Sequence, residues 1–114
     1  MPRTYHVYLV SNTKRTVLYC GITNNLRRRI AEHKAGTVPG FTATYRATDL
    51  LWCEAFSDVR DAIRREKQIK NWHRPWKWNL IRQANPDLMD LAASLEAEKE
   101  EGNAGKADPE TSSG

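Results

Sequence analysis

The stretch Tyr5-His6-Val7-Tyr8-Leu9-Val10-Ser11-Asn12-Thr13-Lys14-Arg15-Thr16-Val17-Leu18-Tyr19-Cys20-Gly21 decides the fold. Tyr5 to Val10 is β-branched and aromatic and reads as a strand, and Val17 to Gly21 reads as a second. Ser11-Asn12-Thr13-Lys14-Arg15 between them has the composition of a turn. A parallel crossover needs about a dozen residues or more, so a connection this short implies an antiparallel hairpin with a longer loop.

Working outward, Thr23 or Asn24 can cap a helix that runs to about Lys34, where Gly36 stops it and Pro39 follows. Phe41 to Arg46 has the makings of a short helical turn. Leu50 to Phe56 reads as a third strand, and Ser57 or Asp58 caps a helix to about Asn71. Arg74-Pro75 places a proline at the first position of a further helix, which runs to about Gln83. Asn85 or Pro86 opens a last helix through Leu95. The expected fold is α/β of the α+β kind: a central three-stranded, mainly antiparallel sheet flanked by helices. Residues 1–96 are expected to form one domain, with a core over about 3–84 and a C-terminal helix over about 86–96. Residues 97–114 have the Glu, Lys, Gly, Asn, Pro and Ser composition of an acidic disordered tail.

Charge divides the chain in the same place. Residues 1–83 hold 16 Lys and Arg against 6 Asp and Glu, whereas residues 84–114 hold 2 against 8. A basic domain attracts polyanions through counterion release, although a basic face is often no more than a solvated one. No window approaches the ~20 apolar residues of a membrane span, and the start Met1-Pro2-Arg3-Thr4-Tyr5 lacks a signal-peptide apolar region. Cys20 and Cys53 have no zinc-site spacing and fall in apolar runs. They read as reduced core residues, which points to a reducing compartment and a cytoplasmic location.

The two longest helices carry charge where apolar residues belong. In the first, Leu26 and Ile30 define the buried stripe, and Arg29 and His33 share that face by the three/four-residue spacing. In the second, Val59, Ala62, Ile63 and Ile69 form the stripe and Glu66 falls inside it. Buried unpaired charge costs several kcal/mol, so these residues need partners. One solution is an internal Arg29–Glu66 salt bridge, or side chains that snorkel out from the stripe edge. The other is a cleft in which the arginine meets a phosphate and the glutamate holds a divalent cation. Magnesium keeps several waters and often takes only one or two protein carboxylates. Tyr8 and Tyr19 are core aromatics by default, yet a tyrosine beside an activated water could relay its proton. Gly21 ends the second strand and permits close approach.

In combination these pieces resemble the GIY-YIG nuclease superfamily, in its small single-domain bacterial form. The first half-motif looks like His6-Val7-Tyr8 and the second like Tyr19-Cys20-Gly21. The helix Asn25-Leu26-Arg27-Arg28-Arg29-Ile30-Ala31-Glu32-His33 follows, then Pro39-Gly40-Phe41-Thr42, the strand from Leu50 to Phe56, and Ala62-Ile63-Arg64-Arg65-Glu66-Lys67-Gln68-Ile69-Lys70-Asn71-Trp72. With Asn85-Pro86-Asp87-Leu88 the resemblance covers about residues 3–92. It implies a metal-dependent endonuclease acting on nucleic acid, with DNA the expected substrate. A nucleic-acid-binding module of the same fold, with little or no cleavage, is the alternative. No small-molecule cofactor or membrane is implied, and repair, recombination and defence against mobile elements are all compatible pathways.

By similarity, Tyr19 would activate the attacking water, and Tyr8 would support it or bond the metal's water shell. Arg29 would bind the scissile phosphate, and Glu66 would ligate one Mg²⁺ or Mn²⁺. His33 sits where some members carry a useful histidine and is either part of the site or a structural partner. The chain departs from the family pattern at His6, which replaces the glycine of the name motif, and at Ile22, where some members carry lysine. A late family asparagine would match Asn79. Arg27, Arg28, Arg65, Lys70, Arg74 and Lys77 are the expected nucleic-acid contacts. Trp72-His73-Arg74-Pro75-Trp76-Lys77-Trp78 mixes rings and cations. Such residues can stack on unpaired bases, but Trp72 and at least one of Trp76 and Trp78 are expected to seal the core.

Overall fold

The computed structural model describes residues 4–37 and 46–95. Its strands are β1 (Tyr5–Ser11), β2 (Leu18–Thr23) and β3 (Asp49–Phe56). Its helices are α1 (Leu26–Ala35), α2 (Val59–Lys70) and α3 (Arg74–Ala84). The β1–β2 turn is organised by Asn12. Its side-chain oxygen accepts from Thr16 N and Val17 N at 2.9 and 3.1 Å, and its amide donates to Thr16 Oγ1 at 2.7 Å. This is the local side-chain bonding that draws asparagine into turns. Arg15 closes the turn at φ 60° and reaches across to Asp49 at 2.8 Å and to the Leu88 carbonyl at 3.1 Å.

The sheet is antiparallel with order β2-β1-β3. β1 sets Val7 opposite Ile22, Tyr8 opposite Gly21, Leu9 opposite Cys20 and Val10 opposite Tyr19. On its other side Leu9 faces Trp52 and Val10 faces Leu50, so Leu51 is the extra residue of a bulge. Alternation along β1 sends Val7 and Leu9 to one core and Tyr8 and Val10 to another. The first core joins them to Cys20, Leu51, Trp52, Ala62, Ile69 and Ile81, under α2 and α3. The second holds Leu26 and Ile30 of α1 with Ala47, Leu50 and Ala92.

Helix ends follow the chemistry of their caps. Asn25 accepts from Arg28 N at 3.1 Å, and Gly36 ends α1 in the left-handed region at φ 75°. Asp58 caps α2 through Arg60 N at 2.8 Å, and Pro75 sits in the first turn of α3.

Three expectations need correction. The cap of α1 is Asn25 rather than Thr23 or Asn24. Val59 and Ile63 of the predicted α2 stripe are each 38% exposed, so the buried stripe is Ala62 and Ile69, with half-buried Glu66 between them. The last helix, expected from Asn85 or Pro86 through Leu95, is a strap of turns with one helical turn over 92–95. Side-chain bonds outcompete the helix there. Buried Asn85 donates to the carbonyls of Leu51 and Met89 at 3.1 and 2.8 Å and accepts from Met89 N at 3.0 Å. Asp90 accepts from Leu50 N and Ala92 N, both at 3.0 Å, and Leu91 N donates to Leu50 O at 2.7 Å. The strap is thereby tied to the β3 bulge. The turn expected over 41–46 lies, except for Arg46, outside the described residues, as does the tail over 97–114.

Candidate active site

The face of the sheet beneath α1 gathers four of the predicted site residues. Tyr8 comes from the centre of β1, Tyr19 from β2, and Arg29 and His33 from successive turns of α1. Tyr8 Oη and His33 Nε2 share a hydrogen bond of 3.1 Å. The ring centroids of Tyr8 and Tyr19 lie 6.4 Å apart, those of Tyr8 and His33 5.5 Å, and those of Tyr19 and His33 5.8 Å. The three rings therefore form one packed cluster of tilted and edge-on contacts.

Gly21 makes the cluster fit. A Cβ at that position would meet the Tyr8 phenol, with Cζ at 2.5 Å. The tyrosine of the first half-motif lies over the glycine of the second, directly opposite it in the ladder.

Within the cluster the residues differ in access. Tyr8 and His33 are each only 1% exposed, whereas Tyr19 and Arg29 are partly exposed. Burial pushes the Tyr8 phenol well above the usual tyrosine value; Tyr19 adds to this, and Arg29 opposes it by charge and hydrogen bonding. Burial, with the Arg29 charge in support and Glu32 in opposition, takes His33 down to about 4. Both groups are neutral at pH 7. The Arg29 Nε lies 3.3 Å from Glu32 Oε1, one turn along α1.

Glu66 approaches from the opposite side of the sheet, on α2. Its side chain is 15% exposed and its carboxylate meets Lys70 Nζ at 2.8 Å. The internal Arg29–Glu66 pair is not formed: Arg29 lies beside Glu32, and Glu66 is held by Lys70. The carboxylate raises the Lys70 ammonium, and Tyr19 and Cys20 of β2 also act on it in that direction. Lys70 is thus within electrostatic reach of β2, the edge strand that carries Tyr19. Sequence reasoning placed Lys70 among general nucleic-acid contacts. Its spacing of four residues from Glu66 was the signal that it pairs with that carboxylate.

Among the described residues no three of His, Cys, Asp and Glu group closely enough to hold a metal ion. The described cysteines and histidines therefore do not assemble a zinc centre. Glu66 is a single, poorly exposed carboxylate paired with the Lys70 ammonium, so a divalent cation there would compete with Lys70, take one protein carboxylate and keep most of its waters.

The remaining predicted contacts are partly engaged. Arg65 bonds Glu54 at 3.0 Å and Gln68 at 2.7 Å, and its guanidinium lies over Trp52 and Trp72 at 5.9 and 5.5 Å. Arg27 donates to the Leu95 carbonyl at 3.4 Å, Arg74 to the Thr16 carbonyl at 2.6 Å, and exposed Arg28 lies 3.8 Å from Glu32. Lys77 is half-buried, and its charge acts on Cys20. Asn79 is exposed, far from the clamp role that the buried Asn85 performs. Trp72 and Trp78 pack against the core, and Trp76 does not.

An antiparallel sheet with two half-motifs on adjacent strands, an arginine helix and a glutamate helix defines a domain of the GIY-YIG nuclease kind. The family model described as the GIY-YIG catalytic domain matches residues 4–79, and the chain belongs to that family. Its relatives include a UPF0213 protein of Staphylococcus haemolyticus, 40% identical over 77 residues, covering 68% of this chain and 93% of that protein. Another UPF0213 protein, from Natronomonas pharaonis, is 36% identical over 81 residues, covering 71% of this chain and 94% of that one. The solution NMR structure of a UPF0213 protein from Bacillus halodurans shares the fold with a TM-score of 0.51 at 24% identity, over 76% of this chain and 92% of that one. No helix of the described residues is long and apolar enough to cross a membrane.

Proposed function

We propose that this protein is a metal-dependent endonuclease that hydrolyses phosphodiester bonds of nucleic acid, with DNA as its substrate and the cytoplasm as its location. The observation that carries the reading is the ring cluster of Tyr8, Tyr19 and His33 beside Arg29, with Glu66 and Lys70 across the edge strand β2. Tyr19 is the partly exposed member of the cluster, so its hydroxyl is the one that orients an attacking water and relays its proton, accepting it while passing its own O–H proton to solvent. Tyr8 and His33 are buried and neutral, and they act by holding Tyr19 and Arg29 in place. Arg29 offers its guanidinium donors to the phosphate and to the charge that develops on it. Glu66 would hold one Mg²⁺ or Mn²⁺, which supplies positive charge to the phosphoryl oxygens when bound. The basic surface of residues 1–83 draws the polyanion in, so affinity falls steeply with salt.

The test is incubation with single-stranded, duplex and branched DNA and with RNA, in Mg²⁺, Mn²⁺ or EDTA. Metal-dependent nicking is expected, and Arg29→Ala and Glu66→Ala should each lower it by about a hundredfold or more. Cutting that persists in EDTA would exclude this mechanism. Binding without cutting on every substrate would make the chain a nucleic-acid-binding module instead.

A further inference from the structure

Trp76 takes no part in the chemistry proposed above, yet it is 58% exposed. Its ring meets Trp72 edge-on at 6.1 Å, and Trp72 is braced in turn by the Arg65 guanidinium at 5.5 Å. Trp72, Trp76, Asn79, Leu80 and Gln83 line an open pocket of about 240 Å³. Asn79, Leu80 and Gln83 lie three, four and seven residues after Trp76 and share its face of α3. The floor is aromatic, and the rim carries two carboxamides, each with both a donor and an acceptor.

The surroundings select the occupant. Arg74, Lys77 and Arg82 lie on α3, and that helix has no carboxylate. A second copy of the chain would bring the same cations against them, whereas a polyanion is attracted. These cations lie outside the pocket lining, Arg74 and Arg82 bordering a separate pocket, while Arg65 stands over Trp72 at the pocket floor. A flat, exposed ring on a cationic helix suits a ligand that is both planar and phosphate-linked. We propose that Trp76, Asn79 and Gln83 form a subsite for one unpaired nucleobase, which stacks on the indole and presents its edge to the carboxamides while the cationic surface of α3 attracts the adjoining phosphates. Bases inside a duplex show no free face, so the subsite selects single-stranded or frayed segments. This inference rests on the nucleic-acid reading above and adds to it a preference for strand state, set on the α2–α3 corner that follows Glu66.

The test is fluorescence anisotropy in EDTA, where nothing is cut, with three labelled probes: an oligothymidylate, an abasic phosphodiester strand of the same length, and a blunt duplex. Trp76→Ala should weaken oligothymidylate binding about tenfold and leave the abasic strand and the duplex within twofold. Trp76→Phe should retain most of the affinity, because a phenyl ring still stacks. Asn79→Ala with Gln83→Ala should weaken the oligothymidylate about threefold and spare the abasic strand. Equal weakening on all three probes, or no change on any, would overturn the subsite while leaving the nuclease reading intact. A wild-type dimer in sedimentation that Trp76→Ala splits would also overturn it, since the face would then bind its own copy. Wild-type protein that binds none of the probes would refute the nucleic-acid reading itself.

Discussion

Val7 and Leu9 face α2 and α3, while Tyr8 and Val10, interleaved with them on the same strand, face α1. The first side is aliphatic and closed: Val7, Leu9, Leu51, Ile69 and Ile81 are all fully buried. The second is built around phenol, imidazole and guanidinium groups, with Tyr8 bonded to His33 and Arg29 partly open to solvent. A strand repeats every two residues, so one hairpin supports a stabilising face and a chemical face at once. A slip of one residue in register would exchange them and destroy both. Glu66 breaks the division. It belongs to the stripe of the aliphatic side, yet its partner Lys70 lies within electrostatic reach of Tyr19 on β2.

That contrast can be broken in three places. The largest effect is expected from Ile81→Ala, which empties a fully buried position on the aliphatic side. It should cost about 2–5 kcal/mol in urea unfolding, with nicking per folded molecule unchanged. If activity fell further than unfolding accounts for, the two faces would not be separable.

Next comes acid. His33 has a folded value of about 4 against an ordinary 6.5, so as pH falls the unfolded chain takes up the proton first. Stability from this residue is therefore complete above pH ~6.5, declines between ~6.5 and ~4, and is gone below that range; the total is on the order of 3 kcal/mol. Urea midpoints measured across this range should slope downward toward acid, and His33→Gln should flatten that part. An unchanged slope in the variant would remove His33 from the account.

The smallest effect concerns the cation. Lys70→Met removes the ammonium from Glu66, so Mn²⁺ followed by electron paramagnetic resonance should bind about fivefold more tightly, the scale of one partly exposed ion pair. Weaker binding in the variant would mean that Lys70 helps to build the cation site rather than competing for it.

Much of this arrangement was legible because it rests on local chemistry. The hairpin, the α1 stop at Gly36, the cap at Asp58 and the proline start of α3 each depend on residues close in sequence. The helical spacing of Arg29 with His33, and the presence of Glu66 in a buried stripe, were equally readable. What stayed hidden depends on partners distant in sequence. Val59 and Ile63 fit the α2 stripe by period alone, and only the packed sheet reveals that they stand at its margin. The strap after Asn85 looked helical because its bonds go to Leu50 and Leu51, some 35 to 40 residues back. Trp76 and Trp78 were interchangeable on paper, and the pitch of α3 against the sheet separates them. The sequence likewise marked Gly21 as a place for close approach without saying that the neighbour is Tyr8.

Gly21 carries a consequence for how this chain can vary over time. Every single-nucleotide change that replaces a glycine adds bulk, and here even a methyl group runs into a ring packed on its other sides by Tyr19 and His33. The narrowest constraint on the lineage therefore falls on a residue with no functional group at all. Substitution is cheap on the exposed faces of the helices, whereas this one blank position and the phenol lying across it constrain each other.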